Sequence, residues 1–230
     1  MNDISSLKEF EKEIGITFTN GALLQTALTH RSYVNEAADA GEHNERLEFL
    51  GDAVLELVVT SHLFRRYPDT PEGVLTAYRA ALVNTNMLGV VAESLKVGEY
   101  LRLSRGEAND AGRTRASILA NTFEAVVGAI YLDQGYEAAR AFIAAHVIPK
   151  MDEVVASGAW KDAKSAFQEF AQEKYGQTPH YEVVHAEGPD HDKRFVVSVL
   201  VGDVSKAEGE GRSKQEAEQE AAKKALAEEK

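Results

Sequence analysis

The chain of 230 residues contains no cysteine. This absence excludes disulfides, zinc thiolate sites, iron–sulfur clusters and thiol catalysis, so a bound metal must be held by oxygen or imidazole ligands. No apolar run approaches the roughly 18 residues of a membrane span, and the first residues resemble neither a signal peptide nor an anchor. No phosphate-loop or Gly-x-Ser-x-Gly pattern is present. We therefore expect a cytoplasmic protein with no membrane segment and no organic cofactor.

Positive charge is also scarce. The 25 Lys and Arg residues stand against 37 Asp and Glu residues, which gives a formal net charge of −12. Taken alone, this charge argues against nucleic acid binding, because phosphate backbones usually bind to a basic surface. The hydrophobic fraction of 44% and the charged fraction of 27% are typical of a folded globular protein. The length favours one medium domain plus a small one.

The first part of the chain shows helical periodicity. Apolar residues recur at spacings of three and four, and no segment alternates with a period of two. The segments concerned are Leu23–Leu28, Leu47–Leu63, Leu82–Leu95, Ile118–Leu132 and Ala138–Ile148. This pattern predicts an all-α domain over residues 5–150. Residues 151–161 lose the periodicity and contain Ser157-Gly158, which predicts a linker there.

The last part of the chain follows a different pattern. A helical segment, three short strand-like segments and a final helix follow one another within residues 162–230, as a small α+β domain of order α-β-β-β-α. The predicted elements are a helix over Ala163–Tyr175, strands over Tyr181–Ala186, Arg194–Val201 and Val204–Gly209, and a helix from Ser213 onward. Ser213 and Glu216 form a Ser-x-x-Glu capping box, which favours a helix start at that point.

Carboxylates share one face of the predicted helix over Leu47–Leu63 and its N-terminal extension. At about 100° per residue they fall within an arc of roughly 80°. The residues concerned are Glu45, Glu48, Asp52 and Glu56. The opposite side is apolar, with Leu47, Leu50, Val54, Leu57 and Val58. The acidic face is either solvated or a metal site, and neighbouring like charges favour a cation nearby.

A second helical segment carries an isolated carboxylate. Glu124 is the only charged residue within Ala116–Leu132, and Asn121 lies three residues earlier on the same face. A lone carboxylate in an apolar helix is unfavourable unless it is paired, protonated or bound to a metal. If the two helices pack face to face, Glu48, Asp52, Asn121 and Glu124 form a set of oxygen ligands suited to Mg²⁺ or Mn²⁺. The alternative is a structural ion pair of Glu124 with Arg46 or Arg79.

Three segments together resemble bacterial ribonuclease III. Asn44–Leu55, with the sequence NERLEFLGDAVL, resembles the defining motif of this family. LTHRSY over Leu28–Tyr33 and SILANTFEAVVGAIYL over Ser117–Leu132 resemble its flanking blocks, in the same order. The α-β-β-β-α segment resembles the double-stranded-RNA-binding domain that follows the nuclease domain in this family. The resemblance covers essentially the whole chain.

The resemblance implies an endoribonuclease that cuts double-stranded RNA with the help of Mg²⁺, for which Mn²⁺ can substitute. It implies a homodimer whose two sites each cut one strand of a duplex held in a valley between the subunits. The products would carry 5′-phosphate and 3′-hydroxyl ends with short 3′ overhangs. Substrates in this family include precursors of ribosomal RNA and messenger RNA.

The resemblance also assigns roles to residues. Glu48, Asn121 and Glu124 match the metal ligands, and Asp52 and Glu124 match the residues essential for chemistry. Further acids of the cleft are matched by Glu45 and Glu72. The position of Asn121 is commonly aspartate in the family, and asparagine offers a similarly placed oxygen without the charge. The site is therefore either an active one with weaker metal affinity or an impaired one in a protein that only binds RNA.

In the second domain, the family pattern points to Gln168, His191 and Lys214 as RNA-binding residues. Such domains read the shape of the duplex through phosphates and 2′-hydroxyls, with little base specificity. Residues 161–230 carry 11 basic and 15 acidic residues, a net charge of −4. We therefore expect weak and salt-sensitive RNA binding.

Overall fold

The structure, a computed structural model, describes residues 4–37, 41–108, 113–158, 160, 162–189 and 193–229. Contacts within the chain divide it into two compact units, Met1–Trp160 and Lys161–Lys230. The first unit is helical, and the second contains a three-stranded antiparallel sheet with two helices. This confirms the predicted fold class.

The first unit contains eleven α-helices in its described parts, with a short 3₁₀ turn at Ile148–Lys150 before the last of them. They are α1 Ile4–Ile14, α2 Gly21–Ala27, α3 Arg31–Glu36, α4 Glu45–Arg66, α5 Glu72–Val83, α6 Thr85–Ser94, α7 Val97–Tyr100, α8 Arg105–Ala108, α9 Arg113–Gln134, α10 Tyr136–His146 and α11 Met151–Ser157.

The two longest helices, α4 and α9, pack directly against each other at the centre of the first unit. Leu55 and Val59 of α4 and Phe123 and Ile130 of α9 are fully buried in the core. Burial of side chains of this size contributes roughly 1.5–3 kcal/mol each relative to exposure. The core therefore fixes the relative position of the two helices that carry the candidate site residues.

The predicted helix over Leu82–Leu95 is two helices in the structure. Asn84 has φ −73° and ψ 158°, an extended backbone that interrupts the helix. Its side-chain oxygen accepts a hydrogen bond from the Met87 backbone N–H at 2.9 Å and so caps α6. Asparagine is among the most favourable residues at this capping position. The apolar spacing continues through the break, and this is why periodicity alone predicts one helix.

The segment predicted as a linker, residues 151–161, differs from that expectation over much of its length. Met151–Ser157 forms α11, and its Met151 and Val154 are buried in the core of the first unit. Gly158, with φ +68°, ends this helix. Trp160 packs edge-on against Tyr78, with ring centroids 4.8 Å apart. Met151 and Val154 are three positions apart and so share one face of the helix, and these two apolar residues are enough to bury that face.

The second unit has the order α12, β1, β2, β3, α13. The bounds are Ala163–Tyr175, His180–Glu187, Arg194–Val201, Val204–Gly211 and Lys214–Glu228. β2 pairs antiparallel with both β1 and β3. The core between sheet and helices contains Phe167, Ala171, Val199, Val201, Ala221, Ala222 and Ala225. Ser213 caps α13 by accepting from the Glu216 N–H, and the Glu216 carboxylate accepts from the Arg212 N–H.

No helix in the described parts of the chain is long and apolar enough to cross a membrane.

Candidate functional site

The candidate site lies where α4 crosses α9, and a pair of glycines sets the distance between the two helices. A Cβ atom added to Gly51 would lie 1.8 Å from the backbone oxygen of Glu124. A Cβ atom added to Gly128 would lie 2.2 Å from the backbone oxygen of Leu47. Real Cβ atoms do not approach so closely, so only glycine allows the two backbones this contact. The crossing brings the acidic face of α4 next to Glu124.

Electrostatics show that carboxylates of α4 and α9 are close neighbours. Burial, and next the charges of Asp52 and Glu48, raise the pKa of Glu124 to about 8. Burial is also the largest cause that raises the pKa of Glu48, followed by the charges of Glu45 and Asp52. Groups with raised pKa values that share a cleft are typical of functional sites. A cation bound among them would remove the repulsion that raises these values.

A cavity of about 450 Å³ opens beside these residues. Glu45 and Glu48 line it from α4 and Asn121 lines it from α9. Of the four oxygen ligands predicted from the sequence, Glu48 and Asn121 line this cavity. Asp52 and Glu124 do not line it, and Glu124 is close enough to Asp52 and Glu48 for their charges to raise its pKa.

The described residues do not support the alternative assignment of Glu124 to a structural ion pair. Within the part of the chain that the structure covers, neither Arg46 nor Arg79 pairs with Glu124, and Arg79 instead donates to the Thr60 hydroxyl at 3.2 Å. The described side chains also include no group of three or more His, Asp or Glu arranged to enclose a metal ion. A complete ligand set therefore requires Asn121, substrate oxygens or water in addition to carboxylates.

The two further acids of the predicted cleft occupy different places. Glu45 lines the cavity and forms an exposed ion pair with Arg31 at 3.3 Å. Glu72 lies at the start of α5, where its carboxylate accepts from the Thr76 hydroxyl at 3.1 Å. It lines a separate cavity of about 250 Å³ together with Phe64. Within one chain, the structure does not bring Glu72 together with Glu48 and Asn121.

The 450 Å³ cavity is also lined by residues that sequence reasoning did not assign to the site. They are His30, Arg31, Asn44 and Ser117. His30 caps α3 by accepting from the Ser32 N–H, and burial lowers the pKa of its imidazole. The ring is therefore neutral near pH 7 with its proton on Nε2. These residues lie within the family-like blocks, but periodicity gives no sign that they face a common cavity.

The face of α4 next to the acidic stripe is apolar and open. Phe49 is 81% exposed, Phe64 73% and Leu57 55%. The sequence places Leu57 among the apolar residues opposite the acidic stripe, and the structure shows that this position is exposed and not part of the core. The residues at positions 49, 57 and 64 are seven or eight apart, so they share one helix face. Large exposed side chains on one face mark an interaction surface more often than a free one.

In the second unit, Gln168 is exposed on α12, and Lys214 is the exposed first residue of α13. The predicted contact residue His191 lies outside the described residues.

Family models match both units. Residues 20–151 match the model described as ribonuclease-III-like, and residues 163–229 match the double-stranded RNA binding motif. The chain belongs to the ribonuclease III family. The resemblance of the sequence blocks to this family is thereby confirmed.

Curated relatives in this family cover nearly the full chain. Ribonuclease 3 of a Nitratiruptor species is 46% identical over 226 residues, which is 97% of this chain and 96% of that protein. Ribonuclease 3 of Desulfotalea psychrophila is 48% identical, covering 95% and 90% of the two chains. The crystal structure of the nuclease domain of ribonuclease III from Campylobacter jejuni is similar with a TM-score of 0.57 and 38% identity, over 65% of this chain and 97% of that one.

Proposed function

We propose that this ribonuclease III family member is an endoribonuclease that hydrolyses double-stranded RNA with the help of Mg²⁺ or Mn²⁺. The observation that carries the proposal is the acidic cavity beside the Gly51–Gly128 crossing, lined by residues of all three sequence blocks typical of the family. The double-stranded RNA binding motif at residues 163–229 supports the choice of substrate. The proposed substrates are structured precursors of ribosomal and messenger RNA, processed in the cytoplasm.

The residues of the site fit a hard divalent cation. Glu48, Asp52, Asn121 and Glu124 offer oxygen donors alone, which are the ligands that Mg²⁺ prefers. The raised pKa of Glu124 supports this assignment, because a carboxyl group held in its neutral form by burial and by two anionic neighbours gains from a nearby positive charge. We assign Glu48, Asn121 and Glu124 as the ligands. A cation bound there lowers the pKa of water and neutralises charge on the phosphate.

Asp52 is the exposed carboxylate of the set. We assign it the role of accepting a hydrogen bond from the attacking water, which holds the water in line with the scissile bond. The water oxygen joins phosphorus while the bond from phosphorus to the 3′ oxygen breaks. The water gives up one proton and the departing 3′ oxygen takes one up, both exchanged with solvent, so the products carry 5′-phosphate and 3′-hydroxyl ends.

The exposed face of α4 supports a homodimer. Phe49, Leu57 and Phe64 would be covered by the same face of a second copy, since self-association through a two-fold axis joins identical surfaces. A region of the Campylobacter jejuni nuclease domain is described as involved in dimer formation. Two copies supply two cavities, one for each strand of the duplex, and offset cuts leave short 3′ overhangs.

The C-terminal unit supplies affinity for the duplex. We assign Gln168, His191 and Lys214 as RNA contacts that recognise the shape of the duplex and its phosphates. The net charge of −4 over residues 161–230 limits the attraction to phosphate, so binding should weaken strongly as salt is raised. The separate core of this unit supports a division of labour, in which one unit binds and the other cuts.

The neutral side chain of Asn121 favours a second candidate, a double-stranded-RNA-binding protein without efficient turnover. One experiment separates the two: a labelled RNA duplex is incubated with the wild-type chain and with Glu124→Gln, and both binding and cleavage are measured in Mg²⁺. The proposed enzyme cuts the duplex, and Glu124→Gln binds it with nearly unchanged affinity but cuts at least about 100-fold more slowly. Wild-type binding without cutting would establish the second candidate. Equal loss of binding and cutting in the variant would contradict the division of labour.

A further inference from the structure

Three helices of the first unit begin after an asparagine, and one of these asparagines behaves differently. Asn20 accepts from the Ala22 N–H at 3.2 Å, and Asn84 accepts from the Met87 N–H at 2.9 Å. Both have extended backbones, which direct the side chain toward the first turn. Asn44 precedes α4 with φ −78° and ψ −13°, a helical conformation, and its side chain forms no capping hydrogen bond.

Backbone contacts hold Asn44 in this conformation. Its N–H donates to the backbone oxygen of Thr29 at 2.9 Å, and its own carbonyl accepts from the Leu47 and Glu48 N–H groups. The residue is 2% exposed, and among the described residues its buried side-chain Nδ2 has no hydrogen-bond partner. A buried N–H group without an acceptor is destabilising, so an unpaired one in a folded protein calls for a partner.

The surroundings indicate the chemistry of that partner. Asn44 lines the cavity of about 450 Å³ that Glu48 and Asn121 also line. Arg31, His30 and Ser117 stand beside it on the same cavity, each with an N–H or O–H group. An amide N–H requires an acceptor, and an acceptor that enters this cavity must be compatible both with these hydrogen-bond donors and with the carboxylates of Glu45, Glu48 and Glu107, which favour a bound cation. A phosphate group meets both requirements.

We propose that the Asn44 Nδ2 donates a hydrogen bond to a non-bridging oxygen of the RNA phosphate that binds beside Glu48. The proposal rests on the function proposed above and adds a substrate contact to it. Because the amide is already removed from water in the free protein, the bond forms without further desolvation of the donor. The amide is neutral and fixed by the backbone of α4, so it orients the phosphate and contributes little to long-range attraction.

A pair of matched variants separates this role from a structural one. Asn84→Ala removes a working cap at a residue that does not line the cavity, and should lower the melting temperature while cleavage stays unchanged. Asn44→Ala removes an unpaired amide, and should leave the melting temperature within about 2 °C of wild type while kcat falls about 10-fold or more. The affinity for uncut duplex, measured with Ca²⁺ in place of Mg²⁺, should change less than about threefold. A stability loss in Asn44→Ala like that of Asn84→Ala, with normal kcat, would overturn the proposal.

Sulfur substitution tests the contact itself. RNA duplexes are prepared with a single phosphorothioate of defined configuration, either at the cut or at one of the two neighbouring phosphates. At one of these positions the sulfur should slow cleavage by the wild-type chain, because sulfur accepts hydrogen bonds poorly. The same sulfur should not slow Asn44→Ala further, and Mn²⁺ should not restore the wild-type rate. Equal slowing of both proteins at every position would overturn the proposal. Asn44→Asp, which keeps the size but loses the donor, should match or exceed the kcat loss of the alanine variant.

The two proposals fail in different ways. If wild-type protein does not cut the all-oxygen duplex, the proposed function fails. If it cuts that duplex and the sulfur effects of wild type and Asn44→Ala are the same, the function stands and the role of Asn44 is wrong.

Discussion

Gly51 of α4 and Gly128 of α9 face each other at the helix crossing, where the Cβ of any larger residue would overlap the backbone of the facing helix. The overlap at Gly51 is with the carbonyl oxygen of Glu124 itself, at 1.8 Å. One glycine therefore fixes how closely the acidic stripe of α4 approaches the isolated carboxylate of α9. The distance between the predicted metal ligands Glu48 and Glu124 is therefore set by the contact between the two helix backbones, and not by the carboxylates themselves.

This relationship predicts the effect of Gly51→Ala. The added methyl group must push α4 and α9 apart, which we expect to destabilise the fold by about 2 kcal/mol or more and to reduce Mg²⁺-dependent cleavage strongly. Thermal unfolding and cleavage assays measure the two effects. Gly21→Ala is the control, because nothing lies within 4 Å of its added Cβ and alanine favours the helix that begins there. Normal stability and activity in Gly51→Ala would contradict the close crossing.

The raised pKa of Glu124 predicts that, in the absence of metal, the folded protein loses stability as the pH rises. The folded pKa of about 8 lies above the ordinary value of 4.5, so the unfolded chain loses this proton at lower pH than the folded chain does. In EDTA, the stability associated with the protonated group is complete below about pH 4.5 and is lost as the pH rises toward 8. Glu124→Gln removes this dependence.

The measurement is the melting temperature of both proteins in EDTA from pH 5 to pH 8. We expect Glu124→Gln to gain over wild type as the pH rises, and Mg²⁺ to stabilise the wild type more than the variant at pH 8. A difference between the two proteins that does not change with pH would contradict the assigned electrostatics.

The neutral side chain of the proposed ligand Asn121 predicts a site that binds Mg²⁺ more weakly but still supports cleavage. Asn121→Asp adds a charge to the ligand set, so the Mg²⁺ concentration for half-maximal cleavage should fall about 3- to 10-fold. The rate at saturating Mg²⁺ should change less than about threefold, because the oxygen stays in place. Metal titrations of cleavage by both proteins give these values. A gain of about 100-fold at saturation would instead show that the native chain is an RNA-binding protein with an impaired site.

Several elements could be predicted from the sequence because their signals are local. The helix over Ala163–Tyr175 has the predicted bounds, with Asp162 capping its start and Gly176 ending it at φ +67°. The strand over Arg194–Val201 was likewise predicted in full. The carboxylate stripe followed from helix geometry, since residues three and four apart share a face whatever the tertiary structure.

Other features depend on contacts between distant segments, so the periodicity of the sequence does not predict them. The apolar spacing of Leu82–Leu95 hides the break at Asn84, and Leu57 has the spacing of a core residue although its side chain is 55% exposed. Glu72 matches a cleft position by sequence but lies in a separate cavity of the folded unit. The unpaired amide of Asn44 is visible only once the cavity is formed.

The exposed face of α4 predicts the oligomeric state. Phe49→Asp places a charge at the most exposed apolar side chain of the proposed dimer surface, and we expect the variant to sediment as a monomer at micromolar concentration while the wild type sediments as a dimer. Val90→Asp changes a half-exposed valine on α6, outside this surface, and should remain dimeric. If Phe49→Asp and wild type sediment alike, the face does not form the interface.

The most direct test of the proposed function is to incubate the purified chain with an RNA duplex labelled separately on each strand, in Mg²⁺ and in EDTA, and to determine the lengths and ends of the products. The account predicts cuts on both strands in Mg²⁺ only, offset to leave short 3′ overhangs, with 5′-phosphate and 3′-hydroxyl ends. Cleavage that persists in EDTA, or products with 3′-phosphate ends, would contradict metal-assisted hydrolysis at the carboxylates of α4 and α9.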